Sequence, residues 1–209
     1  MKEKEERKLT RAEEERKEKF LNTKQRMEEK GYQTKELTIG IVFANVMAMI
    51  LGAPLIALSF IGFIQVNGEV QGVLDLHMLL LLLVFFVLIV VHELIHGATW
   101  AMFTKNHFKS ISFGVVWQYL TPYCCCREVL HMWQYILGAL MPTIILGIVP
   151  CVIAIITGST FLLVLGCLMI LGGGGDLTIV LKMILYRSDK KEKVFLDHPY
   201  ECGMVVFEK

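Results

Sequence analysis

Four apolar stretches, at about residues 37–66, 77–104, 133–157 and 161–186, divide the chain. Each is long enough, as a helix, to cross the roughly 30 Å hydrocarbon layer of a bilayer. Residues 78–91 carry neither a charge nor a helix breaker. Pro54, Pro142, Pro150 and several glycines interrupt the other stretches, which a membrane helix tolerates where neighbours satisfy the freed backbone groups. A short polar loop at 66–77, with Asn67, Gly68, Glu69 and Asp75, joins the first pair, and Gly158-Ser159-Thr160 turns tightly between the last two. The longest connection is 105–131, and its 110–120 segment, rich in Ile, Phe, Val, Trp and Tyr, has the composition of a strand. Two more strand-like runs, 193–196 and 204–207, flank Asp197-His198-Pro199-Tyr200-Glu201-Cys202-Gly203 and predict a hairpin.

Ahead of the first span, residues 1–30 are rich in helix formers, with Glu3 and Arg7, and Glu15 and Lys19, at the i, i+4 spacing; Gly31 should end the helix. Its apolar residues (Leu9, Phe20, Leu21, Met27) are too sparse for a heptad seam, so a solvated helix is expected. The predicted fold class is an all-α polytopic membrane protein. A charged cytoplasmic helix (1–36) precedes a four-span domain (37–186), and a cytoplasmic tail (187–209) and a small β element lie beside the membrane.

Composition sharpens this reading. Of 209 residues, 55% are hydrophobic, and the mean hydropathy of +0.55 lies outside the range of a soluble domain. The net charge of +1 hides a division, with most charge before Leu37 and after Lys182. With no early apolar core in the first 36 residues, the first span is expected to act as its own targeting signal. Lys and Arg occupy the N-terminal segment, the 105–131 connection and the tail, and are absent from the loops at 66–77 and 158–160. By the positive-inside rule both termini should be cytoplasmic in a cell-membrane protein whose partner is the lipid bilayer. No nucleic-acid signal rises above the ordinary charged helix. The six cysteines, three of them consecutive, imply no disulfide framework.

The chemistry is concentrated near the end of the second span, in His92-Glu93-Leu94-Ile95-His96-Gly97. Residues four apart on a helix lie about 40° apart around its axis, so both imidazoles can reach one zinc ion, with Glu93 as the adjacent base. A shuffle of this composition would give His-Glu-x-x-His on the order of once in a hundred chains. The bland alternative is a pair of buried histidines hydrogen-bonded to neighbouring helices. A catalytic zinc usually takes a third protein ligand. Counted from one face, the second span reaches His92 and the fourth reaches Asp176 after similar numbers of residues, which places the two at comparable depth. Asp176 is thus the candidate third ligand, against the alternative of a carboxyl bonded to another span. Adjacent thiols diverge, so Cys124, Cys125 and Cys126 read as a buried or lipidated cluster; His131 reads as interfacial, and His77, His107 and His198 have no partner at metal spacing. In this scheme Zn2+ activates water and polarises a peptide carbonyl while Glu93 shuttles the proton. The 110–120 segment, running on toward Pro122, would hold substrate as an added strand.

The HExxH motif in one span and an aspartate in a later one resemble the intramembrane metalloproteases of the site-two type. That resemblance implies zinc, a glutamate base at Glu93 and an aspartate ligand at Asp176, although Gly175-Asp176-Leu177 stands here where those proteases have Leu-Asp-Gly. More closely, Leu120-Thr121-Pro122-Tyr123, the glycines and prolines of 138–150, Gly174 to Asp176, and Asp197-His198-Pro199 make residues 85–207 similar to a small bacterial membrane family described as putative zincin peptidases. The expected function is a zinc-dependent endopeptidase acting on a membrane or juxtamembrane polypeptide. The alternatives are a non-catalytic zinc-binding sensor or assembly protein, which has no need of Glu93, and a scaffold displaying its N-terminal helix.

Overall fold

The structure, a computed structural model, describes residues 10–70, 76–116 and 121–209. The Glu3–Arg7 pair, Asp75 and the 117–120 end of the expected strand lie outside the described residues. The chain is mostly helical: α1 (Arg11–Glu29), α2 (Ile41–Asn67), α3 (Leu76–Ala101), α4 (Met132–Pro142), α5 (Val149–Thr157), α6 (Thr160–Gly172) and α7 (Gly174–Leu185). A π-helical turn, Thr143–Ile148, joins α4 to α5. The described residues also form six strands: β1 (Gln33–Thr38), β2 (Ile111–Val116), β3 (Thr121–Cys126), β4 (Leu130–His131), β5 (Lys193–Asp197) and β6 (Gly203–Glu208). A purely α class is therefore too narrow.

Three helical stretches among the described residues are long and apolar enough to cross a membrane: Val42–Asn67, Met78–Ala101 and Met132–Thr157. A fourth exists if α6 and α7, bent by 47° at their junction, count as one. The expected fourth span is thus broken, and the reason is Gly173. Its N–H donates to the carbonyl of Met169 in α6, and an added Cβ would lie 2.0 Å from the Thr143 hydroxyl. The next residue, Gly174, lets α7 meet the backbone of Ala48 in α2, where a Cβ would come within 2.5 Å of the Ala48 Cα. The first span starts later than its hydropathy suggests, because Leu37 and Thr38 pair with Met204 and Gly203 in a sheet.

That sheet has the order β1-β6-β5-β4, antiparallel throughout, and contains the tail hairpin read from the sequence. It gathers the chain just before α2, just before α4 and just after α7 at one end of the helices. β2 and β3 form a separate hairpin between α3 and α4. Helix α1 is not simply solvated. Met27 is buried with Leu196, Val205 and Phe207, and Phe20 packs on the same cluster, so its few apolar residues cover the sheet. They are too few for a coiled coil but sufficient for one docked face. Thr10 caps the helix, exchanging hydrogen bonds with Glu13.

The sheet is pinned at the end of its inner strand β6 by Glu208, which bonds Lys35 at 2.8 Å and the Tyr186 hydroxyl at 2.8 Å. Burial opposes its ionisation, but hydrogen bonds from Lys35, Ser188 and Tyr186 outweigh it and hold the carboxyl down at about 2. A folded pKa below the ordinary 4.5 means that this contribution is complete above about pH 4.5 and is lost as pH falls toward 2. Glu208→Gln should therefore lower the thermal midpoint at neutral pH and flatten its fall across that acid window. An unchanged acid slope would show that the group is not a determinant.

Candidate metal centre

His92 and His96 sit one turn apart on α3, nine and five residues before its end, and both rings are buried. Asp176 is the third residue of α7 and keeps 22% of its side chain exposed. The bend at Gly173 swings this first turn toward α3. His92 Nε2 lies 3.1 Å from Asp176 Oδ2 and 3.1 Å from His96 Nε2, and His96 Nε2 lies 3.3 Å from the same Oδ2. Ligands held tetrahedrally at about 2.0–2.1 Å from a zinc ion are separated by about 3.3–3.4 Å. The three atoms thus form a triangle close in size to one face of such a tetrahedron, and the donor set fits the ion. Among the described residues they are the one group of three or more such side chains able to share a metal.

The orientation of His96 fits the same role. Its Nδ1–H donates to the Gly138 carbonyl at 2.8 Å, which leaves the Nε2 lone pair facing the triangle. Trp100, one turn further along α3, stacks on the His96 ring with centroids 5.1 Å apart and planes 14° apart. Its indole N–H donates to the Tyr135 carbonyl. Gly138 makes this possible, because a Cβ there would fall 2.0 Å from the Trp100 Nε1. We expect Gly138→Ala to displace Trp100 and the carbonyl that orients His96. Zinc affinity should fall by about 10–100-fold, read by competition with a chelator, and stability by about 1–3 kcal/mol, read by thermal unfolding.

Glu93, half-buried beside His92, is left out of the triangle and lies against the backbone N–H of Cys124. The hairpin explains why. Pro122 has no N–H, so its pairing with Val115 falls at a position where no ladder bond is exchanged, and by alternation so do Cys124–Phe113 and Cys126–Ile111. The N–H groups of Cys124 and Cys126 therefore point away from β2. The first meets Glu93, and the second donates to Asp197 Oδ2 at 2.6 Å. It is thus β3, not the expected 110–120 segment, whose edge faces the base; β2 lies one strand behind it.

Asp197 is a neighbour that the sequence reading gave no role. It also accepts from the Tyr135 hydroxyl, and burial pushes its carboxyl up to about 6. It ties the tail to α4 and β3 beside the metal centre. The cysteines are not part of this cluster. Burial first and Asp197 second push all three thiols upward, Cys126 to about 12. His131 is exposed at the start of α4, and His107 bonds the Ala101 carbonyl. His198 is buried in the tail, where its Nδ1 accepts from Glu201 N–H, and His77 opens α3.

An HExxH helix completed by a carboxylate from a second helix is the donor pattern of a zinc metallopeptidase of the zincin type. The chain belongs to the family described as "putative zincin peptidase", whose family model matches residues 85–190 and so takes in the motif, the hairpin and Asp176. No curated protein and no solved structure matches it.

Proposed function

We propose that the protein is a zinc-dependent, membrane-embedded endopeptidase that cuts a membrane or juxtamembrane polypeptide. The observation that carries this reading is the triangle of His92, His96 and Asp176 with Glu93 beside it but outside it. Zinc bound there would supply Lewis-acid polarisation of the scissile carbonyl and a lowered pKa for the attacking water. The Glu93 carboxylate would take the water's proton and deliver it to the leaving nitrogen.

A membrane setting is supported by the apolar residues that the helices leave uncovered, such as Val42 (78% exposed), Leu58, Phe86 and Ile156. A soluble protein cannot leave so many unpartnered, whereas lipid covers them. The sheet draws the starts of α2 and α4 and the end of α7 together, which supports placing both termini on one side, the cytoplasmic side by the positive-inside rule. The metal centre, between residues nine and five from the end of α3 nearest that sheet, lies about 10 Å in from that end at 1.5 Å per residue.

An extended substrate has a place along the outer edge of β3, where it would take over the Cys124 N–H from Glu93 and release the carboxylate toward the water. Cys124→Pro removes that donor without removing a β2–β3 ladder bond. Turnover should drop by about 3–10-fold, as for one hydrogen bond to a neutral peptide carbonyl, with zinc retained, whereas Cys124→Ala should cost little. Equal effects of the two would sink this edge as the substrate path. The activity itself is tested with purified protein in vesicles and a panel of single-span reporter polypeptides. Cleavage that needs zinc and disappears with a chelator supports the reading, and a zinc-loaded protein that cuts none of them favours a non-catalytic zinc protein.

A further inference from the structure

Beside the metal centre, where α1 crosses the hairpin, Arg16 is 91% buried, by its 9% relative exposure, and its Nε has no hydrogen-bond partner. Its guanidinium lies 4.3 Å from the centroid of the Tyr123 ring, and no carboxylate among the described residues pairs with it. Leaving a desolvated guanidinium without an anion is costly. The same cleft is lined by Lys19 and Arg127 and floored by Cys125, Cys126 and Asp197. That gives three cations against one carboxylate, and both Asp197 oxygens are already engaged, by Cys126 N–H and the Tyr135 hydroxyl. Arg127 donates one nitrogen to the Lys109 carbonyl.

We propose that this cleft is a substrate subsite that takes a carboxylate of the polypeptide, either an Asp or Glu side chain or a C-terminal carboxylate. The proposal rests on the peptidase reading above. The Arg16 fork and the Lys19 and Arg127 charges would hold the anion, with Tyr123 keeping the guanidinium flat. Position along β3 sets the spacing. Cys126 is two residues beyond Cys124, about 7 Å at the rise of a strand, so a chain passing Glu93 at Cys124 reaches the cleft about two residues from the bond being cut. A polypeptide is favoured over other anions because Cys125 and Cys126, which line the cleft, belong to the strand whose Cys124 lies against Glu93. Helix α1, otherwise only a cover on the sheet, thereby becomes part of the specificity apparatus.

The test is peptide binding to zinc-loaded, full-length Glu93→Gln protein in zwitterionic micelles, followed by the anisotropy of a neutral dye. The probes are capped alanine–serine decapeptides with one aspartate moved through each position, their asparagine twins, and an asparagine twin with a free C-terminus. The best aspartate peptide should bind at least about tenfold more tightly than its twin, the value of one or two charge-assisted bonds. Arg16→Gln should erase the preference, and Arg16→Lys should keep part of it. Tight binding of the free C-terminus with the same dependence on Arg16 assigns the carboxylate to a chain end; weak binding assigns it to a side chain. If Arg16→Gln fails to retain zinc or its thermal midpoint, the Lys19→Gln, Arg127→Gln double variant must lose the preference instead. Equal binding of aspartate and asparagine peptides overturns the subsite, as does Arg16-dependent displacement by phosphatidylglycerol, which would give the cleft to a lipid phosphate. Cleavage by wild type is scored separately. Turnover that ignores the aspartate sinks the subsite alone, and Arg16-dependent binding without any turnover sinks the peptidase reading alone.

Discussion

Asp176→Ala protein should purify with little or no zinc, while wild type and Glu93→Gln each hold about one ion per chain. The expectation follows from the triangle. Asp176 Oδ2 stands 3.1 Å and 3.3 Å from the two imidazole nitrogens, so removing it takes away one of three donors and the single negative charge that faces the ion. Loss of an outer partner of a metal ligand costs about 10–100-fold in affinity, and loss of the ligand itself must cost more. His96→Ala should do the same and also leave the Gly138 carbonyl and the face of Trp100 without their partner. Asp176→Asn separates charge from position, since the amide oxygen can occupy the same place without the charge, and its zinc content should lie between the two. Elemental analysis of the purified variants decides the matter. Full zinc content in Asp176→Ala would show that the third donor lies elsewhere and would reduce Asp176 to a hydrogen-bond acceptor for His92.

Much of this arrangement is legible in the chain because it is written in short-range spacing. His92 and His96 share a face by helical periodicity, and Trp100 lies on the same face one turn on, so its stacking on His96 could have been read from the same count. The tail hairpin is legible from two strand-like runs and the polar turn between them. Asp176 comes level with the histidines because α3 and the α6–α7 pair reach it after similar numbers of residues, although the bend of 47° that aims it comes from Gly173 packing on Thr143, a contact between distant segments. What the sequence hides is of this long-range kind. Leu37 and Thr38 look like the start of a span because their hydropathy continues into it, yet pairing with β6 makes them strand. Residues 110–120 have the stronger strand composition, but the proline phase of the hairpin turns the edge of Thr121–Cys126 toward Glu93. Arg16 and Met27 read as ordinary members of a solvated helix because the face they share carries few apolar residues, Phe20 and Met27 among them. Gly138, whose missing side chain admits Trp100, is one glycine among seventeen in the chain, with nothing local to mark it.

Glu93→Gln should leave zinc binding and the thermal midpoint near wild type while lowering turnover of any cleaved polypeptide by about 10^2–10^4-fold, the range spanned by a positioned general acid–base group. The amide is close to the carboxylate in size and can still accept the Cys124 N–H, so the hairpin contact survives; only the ability to carry a proton is lost. The geometry makes the separation clean, because the three donor atoms that would hold the ion all belong to other residues. Glu93→Asp keeps the carboxyl but withdraws it by one methylene, and its turnover should fall between the two. The same variants distinguish the competing readings. A site that serves only to hold zinc has no use for a proton carrier one residue from His92, and its function would be indifferent to Glu93→Gln but lost in His96→Ala. A peptidase loses activity in both and loses metal in one. A membrane scaffold that works through α1 tolerates both and fails only when the helix is removed.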